Sequence, residues 1–217
     1  MYEWLIFAAC AVIAYLLGSL NGGIMVTQLL NNSDIRESGS GNAGFTNVKR
    51  VYGAKSAAIV CAVDVIKTII ACGVGGFVTE QFTSWSYVAG ALLCGLFTQI
   101  GHIFPIYYGF KGGKGFICGM ATVLMADWRI FLMAFAVLTV FTLTTKFVSL
   151  ASLCATFSYA ILFVVFHNND IAAYCLACCL ALVVFVAHRE NIKRLFAGTE
   201  RKTYFFGKGK KEKEESK

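Results

Sequence analysis

Lys111-Gly112-Gly113-Lys114-Gly115 places two ammonium side chains on nearly bare backbone, between segments apolar enough to be buried in lipid. Glycines let several backbone N–H groups converge on one anion, and lysines add mobile positive charge. The matching ligand chemistry is a phosphate or an acyl phosphate. Spacing excludes a nucleotide-binding P-loop. That loop has four residues between its glycines and a Ser or Thr after the lysine, whereas three residues separate Gly109 from Gly113 and Gly115 follows Lys114.

Two further polar islands carry related chemistry. In the stretch from Asp34 to Arg50, Gly39, Gly41 and Gly44 free the backbone, while Ser40, Asn42, Thr46 and Asn47 offer hydroxyls and amides and Arg50 a guanidinium. These groups together suit a phosphate ester that carries hydroxyls. The competing account is a capped loop, with Asn and Ser bonding their own turns and Arg50 meeting lipid phosphates. In the stretch from His188 to Lys202, a helix would turn His188, Asn191 and one of Lys193 or Arg194 inward within one turn. Its competitor is an interfacial amphipathic helix held by Ile192, Leu195 and Phe196. Upstream of the glycine loop, His102 either caps carbonyls at a helix end or orients a lysine or phosphate, and Pro105, the chain's one proline, forces the turn that follows. Lys111 and Lys114 could anchor lipid headgroups, but anchoring needs no glycine between them.

These islands must be carried by membrane-spanning helices. Of the 217 residues, 58% are hydrophobic and 14% charged, and mean hydropathy is +0.68, whereas soluble domains carry about a quarter of charged residues. Spans of about 20 apolar residues are expected at 4–30, 55–78, 85–104, 147–166 and 171–187. Asp127-Trp128-Arg129 looks like an interfacial turn, so the stretch between 116 and 145 reads as two short helices, about 115–126 and 129–145. The first of these covers only about 18 Å. The first apolar segment lacks a basic leader and exceeds the 7 to 15 residues of a signal-peptide core, so it is expected to stay as a helix. Almost all Lys and Arg fall on one side of this scheme, with only Arg129 opposite and Lys67 within a span. The expectation is an all-α integral membrane protein of seven transmembrane helices, N-terminus outside and C-terminus cytoplasmic, with all three islands facing the cytoplasm. Residues 1–206 read as a single domain and 207–217, rich in Lys and Glu, as a disordered tail. Asp64 and Lys67, one helical turn apart inside a span, read as a structural ion pair, and Gly18 with Gly22 as a GxxxG packing face. The nine cysteines lack metal-site spacing and read as small core- or lipid-facing residues.

In this order the islands resemble the three signature motifs of the bacterial acyl-phosphate:glycerol-3-phosphate acyltransferases, the PlsY family. The first is Gly-Ser-Gly-Asn-x-Gly-x-Thr-Asn-x-x-Arg from Gly39 to Arg50; the second is Gly-His-x-Phe-Pro with Phe-Lys-Gly-Gly-Lys-Gly from Gly101 to Gly115. The third is His-x-x-Asn-Ile-x-Arg-Leu-x-x-Gly-x-Glu from His188 to Glu200. Ala43 and Phe116-Ile117-Cys118 depart mildly from the family pattern. The resemblance implies transfer of a fatty acyl group from acyl phosphate to the first hydroxyl of glycerol 3-phosphate, giving lysophosphatidate and phosphate at a bacterial cytoplasmic membrane. It implies catalytic roles for Ser40, Arg50, Lys114, His188 and Asn191. Substrate contacts are implied for Asn42, Thr46, Asn47, His102, Lys111, Gly112, Gly113 and Arg194, with Gly112 and Gly113 against the acyl phosphate. No cofactor, metal or nucleic acid is implied; the partners are the two substrates and membrane lipid.

An acyl phosphate is already activated, so direct transfer needs no acyl-enzyme. No Gly-x-Ser-x-Gly elbow surrounds Ser40, and no His-x4-Asp pair follows His102, His167 or His188. The hydroxyl proton is expected to pass to the donor's own phosphate oxygen, with His188 as general base the alternative. A transporter for phosphorylated solutes is the rival class. It requires polar residues at both surfaces and through mid-membrane, where only Asp64, Lys67 and Asn21 lie deep.

Overall fold

The computed structural model describes residues 2–203, all helix, turn and loop; the Lys/Glu-rich stretch 207–217 lies outside the described residues. The first apolar segment is not one helix to residue 30. It runs as α1 (Glu3–Ser19) and α2 (Gly22–Asn31), broken at Leu20 and Asn21. Asn21 makes the break: its side-chain carbonyl accepts from the Ile24 N–H at 3.1 Å and so caps α2. The orphaned ends are met from α3 (Phe45–Phe82). Lys67 Nζ donates to the Gly18 and Leu20 carbonyls at 3.0 and 2.8 Å, and Asp64 accepts from the Gly22 N–H at 3.2 Å. A cation thus faces the negative end of α1 and an anion the positive end of α2. Asp64 and Lys67 pair at 2.8 Å with 1% and 6% of their side chains exposed, the structural ion pair expected from their spacing.

Helix α3 begins well before residue 55, at Phe45, and Gly53 interrupts it with φ of 84°. The two turns ahead of that break carry Arg50. Helix α4 (Tyr87–Ile103) is the central element, buried along most of its length and packed against α1, α3, α5 and α8. Close packing explains the small residues. A Cβ on Gly18 would run into the Thr98 backbone of α4, whereas one on Gly22 would meet Val60 and Asp64 of α3. The expected GxxxG face therefore serves two different neighbours.

Helices α5 (Phe116–Ala126) and α6 (Trp128–Thr145) meet at Asp127, as its interfacial character suggests. Asp127 caps α6 by accepting from the Arg129 N–H at 2.9 Å and also pairs with Arg129 and His167 at 2.8 and 3.0 Å. Helix α7 (Val148–Phe166) returns, and Leu92, Val123, Ile130, Tyr159, Phe163 and Leu180 fill a core between α4 and the second half of the bundle. Helix α8 (Ile171–Ala187) is followed by α9 (Arg189–Phe196) after a 60° bend. Among the described residues five helical stretches are long and apolar enough to span a membrane, and a sixth if α8 and α9 count together. Helix α5, at 11 residues, falls short of that length, so length and composition alone yield five or six spans rather than seven.

Candidate active site

Pro105 ends α4, and a 3-10 turn (Ile106–Tyr108) followed by Gly109 at φ 65° swings the chain back over that end. Here the glycine loop does something the sequence does not reveal. The Gly112 and Gly113 N–H groups donate to the Ile103 and His102 carbonyls at 3.0 and 3.1 Å, satisfying the end of α4. They are therefore not the free anion donors expected of them. Both glycines are needed for close approach: a Cβ on Gly112 would strike the His102 carbonyl and Pro105, and one on Gly113 the His102 ring. At the N-terminus of α5 the N–H groups of Lys114, Gly115, Phe116, Ile117 and Cys118 have no acceptor among the described residues, the first intrahelical bond being Gly119 N–H to the Gly115 carbonyl. Such an end is the ordinary place for an anion.

From this loop Lys114 Nζ reaches across to donate to Asn191 Oδ1. Asn191 Nδ2 donates to Glu200 Oε1 at 2.6 Å, and Glu200 also accepts from Ser149 Oγ and Arg194 Nε, both at 2.7 Å. A continuous polar chain therefore joins the glycine loop, α9, the segment after it and the start of α7. Burial pushes the Lys114 ammonium down to about 8, opposed by Glu200 and reinforced by Arg194 and Arg50. Burial likewise pushes His188, at the break between α8 and α9, down to about 4, with Lys114 adding repulsion. Its Nδ1 donates to the Val184 carbonyl at 2.9 Å, so the neutral ring keeps its lone pair on Nε2. Burial works against ionisation of Glu200, but its three donors hold it below the usual range.

The stretch from Asp34 to Arg50 is stapled to this assembly by Arg36. Its guanidinium pairs with Asp34 at 2.6 Å and donates to the Tyr108 and Lys111 carbonyls at 2.7 and 3.2 Å. Gly39 and Gly41 turn the loop at φ 64° and 70°. Asn47 shapes it: Oδ1 accepts from the Ser40 N–H at 2.9 Å, and Nδ2 donates to the Ser38 and Ile35 carbonyls at 2.9 and 3.4 Å.

The glycerol-3-phosphate acyltransferase family model matches residues 8–198. The chain belongs to that family. Among its acyltransferase relatives, one from Thermoanaerobacter sp. (strain X514) is 38% identical over 192 residues, covering 88% of this chain and 93% of the relative. One from Lactiplantibacillus plantarum is 36% identical over 194 residues, covering 89% and 90%. The fold is similar to crystal structures of PlsY, an integral membrane glycerol 3-phosphate acyltransferase. Its glycerol 3-phosphate form gives a TM-score of 0.81 at 32% identity over 91% of this chain and 96% of that one. Its lysophosphatidic acid form gives 0.79 at 30% identity over 91% and 95%.

Of the residues expected in an acyltransferase site, the structure links Arg50, Lys114, His188, Asn191 and Arg194 by hydrogen bonds or electrostatic reach. Ser40 and Lys111 are exposed, Asn42 is half-buried on the loop after Ser40, and Thr46 is half-buried on the first turn of α3. Two expected substrate contacts hold other positions. The Asn47 amide, on the first turn of α3, is engaged with the preceding loop, and His102 is 4% exposed beneath Gly113. Lys193 points outward to Glu190. Glu200 closes the third island but carries no expected role in the sequence, because a carboxylate beside an anion site has the wrong sign until Arg194, bonded to it, and Lys114, bonded through Asn191, are located. Ser149 gave no signal at all, being one hydroxyl in an apolar helix.

Proposed function

We propose that the protein transfers a fatty acyl group from acyl phosphate to the sn-1 hydroxyl of glycerol 3-phosphate, giving lysophosphatidate and phosphate, the first step toward phosphatidic acid. The observation that carries this reading is the Lys114–Asn191–Glu200 chain, which joins the second and third islands, with Arg50 of the first within electrostatic reach. The bound species named for the similar PlsY structures, glycerol 3-phosphate and lysophosphatidic acid, are the substrate and product of this reaction. The five long helices, α8 and the short α5 together make seven spans, with α9 lying along one surface. The clustering of Lys and Arg favours the N-terminus outside and the site facing the cytoplasm of a bacterial inner membrane.

In this reading the donor phosphate meets Lys114 and the first N–H groups of α5, while Arg50, the Ser40 hydroxyl and the remaining groups of its loop take the acceptor. Two dianionic substrates repel, and Arg50, Lys114 and Arg194 offset that repulsion and hold them together. Neutral His188, with Nε2 open, and Asn191 orient the acceptor hydroxyl. That oxygen bonds to the acyl carbon, the acyl–phosphate C–O bond breaks, and the hydroxyl proton leaves on the departing phosphate. Asn47 and His102 serve as supports of the two loops.

Purified protein given labelled glycerol 3-phosphate and either acyl phosphate, acyl-CoA or acyl carrier protein should form labelled lysophosphatidate with acyl phosphate alone. Product from acyl-CoA but none from acyl phosphate would overturn the donor assignment, and an ester trapped at Ser40 would overturn direct transfer. The pH dependence follows from Lys114. Its folded-state value of about 8 means the binding cation is lost as pH rises through that region, so kcat/KM for acyl phosphate should fall above about pH 8. Lys114→Arg stays charged and should erase this alkaline limb, whatever its absolute rate.

A further inference from the structure

The inner face of the glycine loop is pressed against His102, and His102 belongs to a buried cluster with no part in the chemistry above. Lys67 Nζ lies 2.8 Å from Asp64 Oδ1 and 3.2 Å from His102 Nδ1, while Asp64 Oδ1 lies 3.3 Å from the same imidazole nitrogen. Asn21 Nδ2 donates at 3.1 Å to the His102 carbonyl, which also accepts from Gly113 N–H at 3.1 Å. The other ring nitrogen, Nε2, faces Gly113, where an added Cβ would collide with it. One imidazole therefore separates the Asp64–Lys67 pair from the loop. Asp64, His102 and Cys118 also offer three ligand atoms within 4.8 Å of one another, but the Lys67 ammonium already supplies a cation there.

Helix packing alone does not account for this cluster. A buried ion pair is often matched or exceeded by apolar residues of similar volume, because desolvating two charges offsets most of their attraction. What apolar side chains cannot do is bond two carbonyls, an N–H and an imidazole at once. By doing so Asp64 and Lys67 fix the end of α1, the start of α2 and the end of α4 relative to one another. We infer that Asp64 and Lys67 are positioning residues that act through His102 to set the height of the Gly112–Gly113 loop, and with it the donor-phosphate site. The inference rests on the acyl-phosphate reading above. The acceptor stretch is held chiefly from within, by the Asn47 amide on the Ser40 N–H and the Ser38 and Ile35 carbonyls, with Arg36 its tie to residues 108–111, so the effect should fall mainly on the donor.

The test measures KM for acyl phosphate and for glycerol 3-phosphate in three variants: Asp64→Asn with Lys67→Met, which leaves no uncompensated charge; His102→Gln, which keeps the ion pair; and all three changes together. Donor KM should rise about tenfold in the first two, with acceptor KM within about twofold of the parent. The triple variant should show no further rise, because residues on one path are not additive. Unchanged donor KM, a parallel rise in acceptor KM, or increases that multiply in the triple variant would overturn the inference. If the double variant does not fold in micelles, His102→Gln alone decides by the same split. Parent protein that turns over acyl phosphate while the variants keep its KM removes only this inference; parent protein that ignores acyl phosphate removes it together with the donor assignment.

Discussion

Lys114→Met should lower kcat/KM for acyl transfer about a thousandfold, the scale on which a single charge-stabilising group at a transition state acts. The substitution keeps the unbranched stem and removes only the ammonium. Lys114 is the one member of the polar chain on the glycine loop itself, beside the open N–H groups of α5, and it also donates to Asn191. With acyl phosphate as the proposed donor, charge would collect on the departing phosphate as the acyl bond breaks, and half-buried surroundings make a fixed cation worth more there than at a solvated surface. Single-turnover rates with labelled glycerol 3-phosphate would measure the loss, and thermal unfolding in micelles should be nearly unchanged. Retention of more than about a tenth of parent kcat/KM would remove Lys114 from the reaction centre.

Glu200→Ala should reduce kcat/KM about a hundredfold and also weaken the fold by about 2–3 kcal/mol, since it strips an acceptor from three donors at once. Arg194, Asn191 and Ser149 all converge on this carboxylate, whose side chain is 8% exposed in the ion pair with Arg194. The loss also changes electrostatics in a definite direction. Glu200 opposes the burial that lowers Lys114, so without it the Lys114 ammonium deprotonates at lower pH. The alkaline limb of kcat/KM should therefore move to lower pH in Glu200→Ala and stay closer to its parent position in Glu200→Asp. A pH–rate series on both variants measures this. A uniform loss of rate with an unmoved limb would reduce Glu200 to a structural tether.

Much of this architecture was legible because lipid constrains it. Apolar runs must be helical, and a charged turn such as Asp127–Arg129 must divide them. An acidic and a basic residue one turn apart within a span must meet, as Asp64 and Lys67 do. The parts that escaped depend on partners distant in sequence. Nothing local in residues 4–30 demands a break; Asn21 ends the helix only because α3 brings a cation and an anion to the exposed ends. The role of Gly112 and Gly113 turns on where α4 stops, since a backbone N–H serves whichever acceptor is nearest. Asn47 reads equally as a substrate ligand or a loop tie until the carbonyls around it are located. Of the expected catalytic residues Ser40, Arg50, Lys114, His188 and Asn191, the last four lie within hydrogen-bonding or electrostatic reach of one another though they come from three separate stretches, while no hydrogen bond among the described residues joins the Ser40 side chain to them.

The broken first span also constrains the order in which the protein can be made. Its loose carbonyls and N–H at Gly18, Leu20 and Gly22 find their partners 42 to 49 residues later in the chain. At about 5–20 residues per second, translation leaves that gap open for a few seconds. An unsatisfied backbone group in hydrocarbon costs several kcal/mol, so α1 and α2 cannot take their final depth as a lone broken span. The broken first span therefore reaches its final depth with its backbone satisfied only once α3 has arrived beside it.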